Sequence, residues 1–189
     1  MTRPSYADSI RILDDRVGII GGALPSVERV PRHDDGVPGP SVFRTRVEDV
    51  SLAGLTLTGL YVGRSLVHRV SFSGCELRLA AFNWSDVSDC DFESADLAGA
   101  DLRACRFVRC SFRRANLAGA DLRCSTFSGC RFDEANLDGA QLYRRPGILG
   151  VLPGIVMVPR LGFRTNPRLT SAQRRQVRWC RDAPVPGGG

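Results

Sequence analysis

Thiols, imidazoles and carboxylates are the groups through which this chain could do chemistry, and it holds seven Cys and two His. Cys75, Cys90, Cys105, Cys110 and Cys130 are spaced by multiples of five; Cys124 falls off that spacing and Cys180 lies beyond the repeat, in the C-terminal tail. No two make a C-x-x-C pair, so the ligand spacing of a structural zinc site is missing. A constant spacing places the five in one repeated environment, which suits small buried packing residues. Cys124 and Cys180 are the thiols expected to be reactive, although nothing in the sequence lowers their pKa. His33 lies in a Pro/Gly/Asp-rich stretch, and neither it nor His68 has a partner in a nucleophile–base–orienter motif. No catalytic residue, metal or cofactor is therefore expected, and the chain reads as a non-enzyme.

The spacing of the cysteines is the spacing of the whole middle of the chain. From Thr45 to Arg144 the residues repeat in fives as small, polar, large apolar, any, any, clearest at Ala95-Asp96-Leu97-Ala98-Gly99 and Ala115-Asn116-Leu117-Ala118-Gly119. Every central position from Val47 to Leu142 is Leu, Phe or Val. A period of five matches neither strand nor helix, and suits a short extended piece followed by a corner. Sampling at twenty sharpens the pattern. One column reads Leu57, Leu77, Leu97, Leu117, Leu137 and another Leu52, Phe72, Phe92, Phe112, Phe132. Ala80, Ala100, Ala120 and Ala140 form a column of small residues, as do Cys90, Cys110 and Cys130. Four pentapeptides per turn with like residues stacked is the expected architecture, and five coils at strand spacing make a rod of roughly 24 Å. Gly59, Gly99, Gly119 and Gly139 end the units of the Leu column, where a type II corner needs positive φ; Leu79 is the exception.

With these units on the page, the chain resembles the pentapeptide-repeat proteins, whose motif is A(D/N)LXX. The resemblance covers about 100 of the 189 residues. It implies an all-β fold, a right-handed four-sided β-helix of about five coils with the central Leu/Phe and the preceding small residue inward. Leu55 and Leu60 stand at small-residue positions, so the first coil is expected to be distorted or capped. Some members of the family bind type II topoisomerases such as gyrase and protect them from quinolones by resembling DNA in shape and negative surface. Such members are often dimers joined through a C-terminal helix.

Charge departs from that resemblance. The chain carries +6, with a pI near 9.3, and all its basic residues are Arg. Residues 1–44 are net neutral, 45–144 net −1 and 145–189 net +7. An acidic stripe would repel DNA and attract an enzyme's cations, but here the acidic third coil (Asp86, Asp89, Asp91, Glu93, Asp96, Asp101) lies beside a basic fourth coil. A step of twenty predicts Asp86–Arg106, Asp89–Arg109, Glu93–Arg113, Arg113–Asp133 and Arg114–Glu134 pairs across coils. Leu66, Leu79, Trp84 and Val108 are predicted to face outward, with Arg64 above Trp84 in cation–π distance.

The flanks supply the caps that a solenoid needs. Residues 1–44 read as an N-terminal cap and linker, with a strand or short helix from the apolar residues of 9–30. Residues 145–189 read as an apolar segment, a short basic helix and a disordered tail. Thr170 or Ser171 begins that helix, which is expected to run through Cys180 and to carry Arg174, Arg175, Arg178 and Trp179. No 18-residue apolar run exists and Met1–Tyr6 has no apolar core, so a membrane span and a signal peptide are not expected and a reducing cytoplasm is. The sequence thus predicts a protein-interaction or scaffold module whose partner contacts the side of the rod at Asp86, Asp89, Asp91, Glu93, Asp96, Leu79 and Trp84. The alternative is a gyrase-directed DNA mimic. Nucleic acid at Arg174, Arg175 and Arg178 is the weakest reading, and the C-terminal segment is a candidate dimer contact.

Overall fold

The computed structural model describes residues 2–17, 39–143 and 169–180. Its elements are α1 (Tyr6–Val17), β1 (Ser41–Phe43), β2 (Arg46–Glu48), β3 (Tyr61–Gly63), β4 (Leu66–His68), β5 (Ala81–Asn83), β6 (Asp86–Ser88), β7 (Arg106–Val108), β8 (Thr126–Ser128), β9 (Gln141–Tyr143), α2 (Ser171–Gln176) and β10 (Arg178–Cys180). All strand pairing is parallel, and from β1 to β8 the step is twenty: Val47 faces Val67, Val67 faces Val87, Val87 faces Phe107 and Phe107 faces Phe127. Single bridges continue the same register on two other sides, as Ser51–Ser71–Asp91–Ser111–Arg131 and Thr56–Glu76–Asp96–Asn116–Asn136. The chain therefore forms the expected four-sided parallel β-solenoid.

The inside follows from the central residues. Phe72, Phe92, Phe112 and Phe132 stack with centroids 4.9 Å apart, and Phe107 and Phe127 stack at 5.1 Å. The two aromatic columns meet edge to face, as at Phe107–Phe112 (5.5 Å, 75°). This combination suits the ring quadrupoles and contributes about 0.5–1.5 kcal/mol per pair beyond area burial. Leu55 and Leu60, too large for a small-residue position, are buried in the first coil without breaking its register to the second.

The corners hold the main surprise. Every fifth residue from Arg44 to Gly139 has positive φ, on all four sides and not only in the Leu column. Gly occupies seven of these places; residues as large as Leu79 (φ 57°) and Trp84 (φ 56°) occupy others. On the two bridge-only sides the corner closes as a hydrogen-bonded turn, for example Leu60 N to Leu57 O at 3.0 Å, with the left-handed residue third, as type II requires. The Asp/Asn of the repeat has a local task. Asp91, Asp96, Asp101, Asn116, Asp121 and Asn136 each accept the backbone N–H two residues on, at 2.9–3.3 Å.

Both ends are capped. Ser5 Oγ accepts the Asp8 N–H at the start of α1, whose Leu13 enters the core; burying such a side chain contributes about 1.5–3 kcal/mol. The first coil has no coil before it, so its edge groups need other partners. Buried Ser9 accepts the Thr56 N–H through Oγ (2.9 Å), and Arg16 donates to the Ser51 carbonyl. At the far end Thr170 and Gln173 form a capping box on α2. Gln173 Nε2 donates to the carbonyls of Phe132 (2.7 Å) and Ala135 (3.1 Å) of the last coil. The helix does not run through Cys180 as the sequence predicts. α2 ends at Gln176, Val177 is buried with extended backbone, and β10 pairs with β9. The parallel edge of β9 pairs with β10 in place of a further helical turn. The expected apolar segment (residues 147–163) and tail (residues 184–189) lie outside the described residues, as does His33.

Candidate interaction surface

The cysteines split as their spacing implies. Cys75, Cys90, Cys105 and Cys110 are buried, Cys130 is half-buried and Cys124 is exposed. Burial pushes the Cys75 thiol up to about 11 and that of Cys105 up to about 12. Cys110 lies between Cys90 and Cys130 in their column, with its Sγ 3.5 Å from the carbonyls of Val87 and Val108. The neighbouring Cys130 and Cys90 sulfurs, together with burial, push its thiol pKa up. Among the described residues no group of three or more His, Cys, Asp or Glu is placed to hold a metal ion.

One constellation was missed in the sequence because its members join only through the register. His68 Nδ1 lies 2.9 Å from Ser88 Oγ and 3.5 Å from Asp89 Oδ2. The types are those of a hydrolytic triad, but the geometry is not. Nucleophile and orienting acid must use opposite ring nitrogens; here both approach Nδ1, and the Arg69 guanidinium contacts Nε2. The group works instead as a polar link between two ion pairs, Asp49–Arg69 and Asp89–Arg109.

The acidic coil is consumed by such pairs. Arg109 holds Asp89 with two hydrogen bonds of 2.6 Å, and Arg106 holds Asp86 at 2.8 Å. The hydrogen bond from Arg109 depresses the Asp89 pKa, as that from Arg69 depresses Asp49. Glu93 departs from the expected ladder. Its partner is Arg114, one residue past the predicted Arg113, whose Nε is enclosed without a hydrogen bond. Arg114 starts from an exposed left-handed corner and its long side chain covers the diagonal. Asp133 accordingly meets Arg131 (3.5 Å) instead of Arg113. Asp91 takes the Glu93 N–H. Asp96 takes the Ala98 N–H and the Asn116 amide, with Arg78 at 3.6 Å. These acids also wrap around the rod: Asp86 is on one side, Asp91 and Glu93 on the next, Asp96 on a third. The structure does not assemble them into one acidic face.

Leu79 and Trp84 stand at neighbouring corners of one coil. Among the described residues they are the exposed large hydrophobics, at 46% and 54% exposure, and they occupy the corners at either end of β5. Leu66 and Val108 are only half-exposed. Leu79 lies against the next coil at Gly99, where an added Cβ would meet its Cδ2 at 3.1 Å. The cation–π contact formed is Arg44 over Phe43, at 5.3 Å, and not the expected one of Arg64 with Trp84. Arg44 and Arg64 stand in the same corner column as Trp84, and neither has a carboxylate partner among the described residues. The sequence carried that signal, since no acid occurs in the column Arg44, Arg64, Trp84, Ala104, Cys124. At the C-terminal end, Arg174 and Arg175 lie on α2 whereas Arg178 belongs to β10. The three therefore do not share one helix, and Arg174 Nε donates to the Leu169 carbonyl at 3.2 Å.

Comparison with known proteins agrees with this architecture. Residues 65–142 match the family model described as the pentapeptide repeat region. Among solved structures the chain is similar to a pentapeptide repeat protein, Rfr23, from the cyanobacterium Cyanothece 51142. The identity is 18% and the TM-score 0.53, over 55% of this chain and 84% of that one. HetL, a pentapeptide repeat protein involved in heterocyst differentiation regulation in Nostoc sp. strain PCC 7120, aligns at 19% identity and TM-score 0.37, over 55% of this chain and 60% of its own. A trypsin-treated form of QnrB1, a plasmid-mediated fluoroquinolone resistance protein, aligns at 19% identity and TM-score 0.45, over 55% and 65%. This chain thus spans less than two thirds of HetL and of QnrB1. No curated protein sequence matches it. No helix among the described residues is long and apolar enough to cross a membrane. The period of five, the step of twenty and the stacked Phe and Leu columns lead to one assignment: residues 65–142 of this chain are a pentapeptide repeat region folded as a four-sided parallel β-solenoid.

Proposed function

We propose that this protein is a non-catalytic interaction module of the cytoplasm that presents the side of its rod to a protein partner. The observation that carries this reading is the contrast on the rod's surface. The acids of its third coil are held by neighbouring arginines and backbone amides, while Leu79 and Trp84 are left exposed at either end of a single strand. Exposed charges already paired within the molecule contribute little to recognition, whereas clustered large apolar side chains mark binding surfaces. The same pairs weigh against a gyrase-directed DNA mimic, which needs unpaired negative charge along one face. The test is a photocrosslinking amino acid placed at position 84 of the full chain, expressed in its own cell. A discrete adduct with one protein, absent when the crosslinker is placed at position 133 on another side, is the expected result. No adduct from positions 79, 84 or 133 overturns the reading. Inhibition of gyrase supercoiling that is lost on changing Asp86, Asp89, Asp91 and Glu93 to Ala replaces it with the mimic.

A further inference from the structure

The partner's chemistry can be taken further, resting on the interaction-module reading above. Leu79 and Trp84 share two properties beyond exposure. Both occupy left-handed corners, where a bulky side chain is strained relative to glycine. Leu79 does so in a column otherwise filled by Gly59, Gly99, Gly119 and Gly139. Neither enters the core, so the fold gains little from accepting that cost. Between them on β5, Asn83 keeps its carboxamide oxygen enclosed without a hydrogen-bond donor. Beside Trp84 stand Arg44 and Arg64, neither with a carboxylate partner among the described residues; of the rod's other described arginines Arg113 also lacks one, whereas Arg69, Arg103, Arg106, Arg109, Arg114 and Arg123 are ion-paired.

We propose that Leu79, Trp84, Arg44 and Arg64 form a docking surface for an acidic peptide segment that carries a large apolar side chain. The apolar side chain packs between Leu79 and Trp84, and the peptide's carboxylates take the guanidinium groups of Arg44 and Arg64. Complementary charge fixes the occupant's sign and the apolar pair fixes its class. Single-stranded nucleic acid fits less well. It needs cations that track a backbone, and this column continues from Trp84 as Ala104 and Cys124.

A random peptide library displayed on phage and selected on the full chain tests the proposal. Enriched peptides should combine Asp or Glu with Leu, Phe or Ile. In fluorescence anisotropy their binding should fall at least about tenfold for Trp84→Gly and for the Arg44→Glu/Arg64→Glu double variant. Arg131→Glu, a charge reversal on a different side, should leave it unchanged. Glycine is the relaxed residue at these corners, so Trp84→Gly and Leu79→Gly keep the fold, and a thermal melt verifies it. Peptides that bind independently of Trp84, Arg44 and Arg64 overturn this surface and leave the module reading in place. A library that enriches nothing overturns this surface, while the crosslinking at position 84 decides the module reading separately. Binding of a fluorescein-labelled oligothymidylate that depends on Trp84, with no peptide enriched, overturns it in favour of nucleic acid.

Discussion

One side of the rod runs through Ser41, Tyr61, Ala81, Asp101, Asp121 and Gln141, and its first three levels differ from the two that follow. The first three are extended strands, β1, β3 and β5, whose corners are Arg44, Arg64 and Trp84. In the next two, Asp101 and Asp121 each accept the amide of Arg103 or Arg123 and bind its guanidinium through two further hydrogen bonds. The backbone step is the same, and the second residue of the unit makes the difference. An Asp there ties down both its own corner and the arginine two residues on. Tyr61 and Ala81 supply no such acceptor, and no arginine follows two positions later. The later levels therefore form a sealed, mutually neutralised surface, and the early levels leave Arg44, Arg64 and Trp84 exposed without such partners.

The largest expected effect comes from forcing the later pattern onto an early level. Ala81 is 4% exposed, and Ala81→Asp would bury a carboxylate beside Asn83, which cannot neutralise it. Urea denaturation should show a loss of about 3 kcal/mol. Adding Asn83→Arg should recover at least half of it, and no recovery would break the comparison. Next comes the reverse change. Asp101→Ala or Asp121→Ala removes the turn acceptor and should cost about 1 kcal/mol in the same assay. Smaller and opposite in sign, Leu79→Gly or Trp84→Gly should raise stability by under about 1 kcal/mol, because relief of the left-handed strain exceeds glycine's entropic cost. A loss in either variant would mean that the side chain supports the fold. The smallest effect is in pH. Asp49 and Asp89 have depressed pKa values from Arg69 and Arg109. Their contribution is present above the unfolded carboxylate value near 4 and lost as pH falls through the lower folded one. Acid titration of the melting temperature should therefore show a fall below about pH 4 that is shallower in Asp89→Asn.

Period and register were legible because the core repeats them: a Phe at every twentieth position has one way to stack. Paired charges followed where both side chains were short of alternatives, as at Asp86–Arg106 and Asp89–Arg109. The ladder failed at Glu93 because an arginine can reach diagonally, and sequence spacing does not encode reach. The left-handed corners were visible only where Gly marked them; Leu79, Trp84 and Arg114 conceal the same backbone behind ordinary side chains. At the C-terminal end Thr170 signalled a helix start, but the end of α2 depended on the free edge of β9, which no local pattern announces. The contacts of His68 with Ser88 and Asp89 likewise exist only across the register.

The unbroken series of corners from Arg44 to Gly139 constrains how such a gene can change length. Loss of a single pentapeptide would still close the wall, but every downstream column would advance by one side. Phenylalanines would then lie over leucines, and Arg109 would lose Asp89. Only insertions or deletions of twenty residues, one whole turn, keep both packing and charge in phase. The rod can thus be lengthened or shortened only in quanta, and the distance between its two caps is a counted quantity that duplication can double but drift cannot adjust.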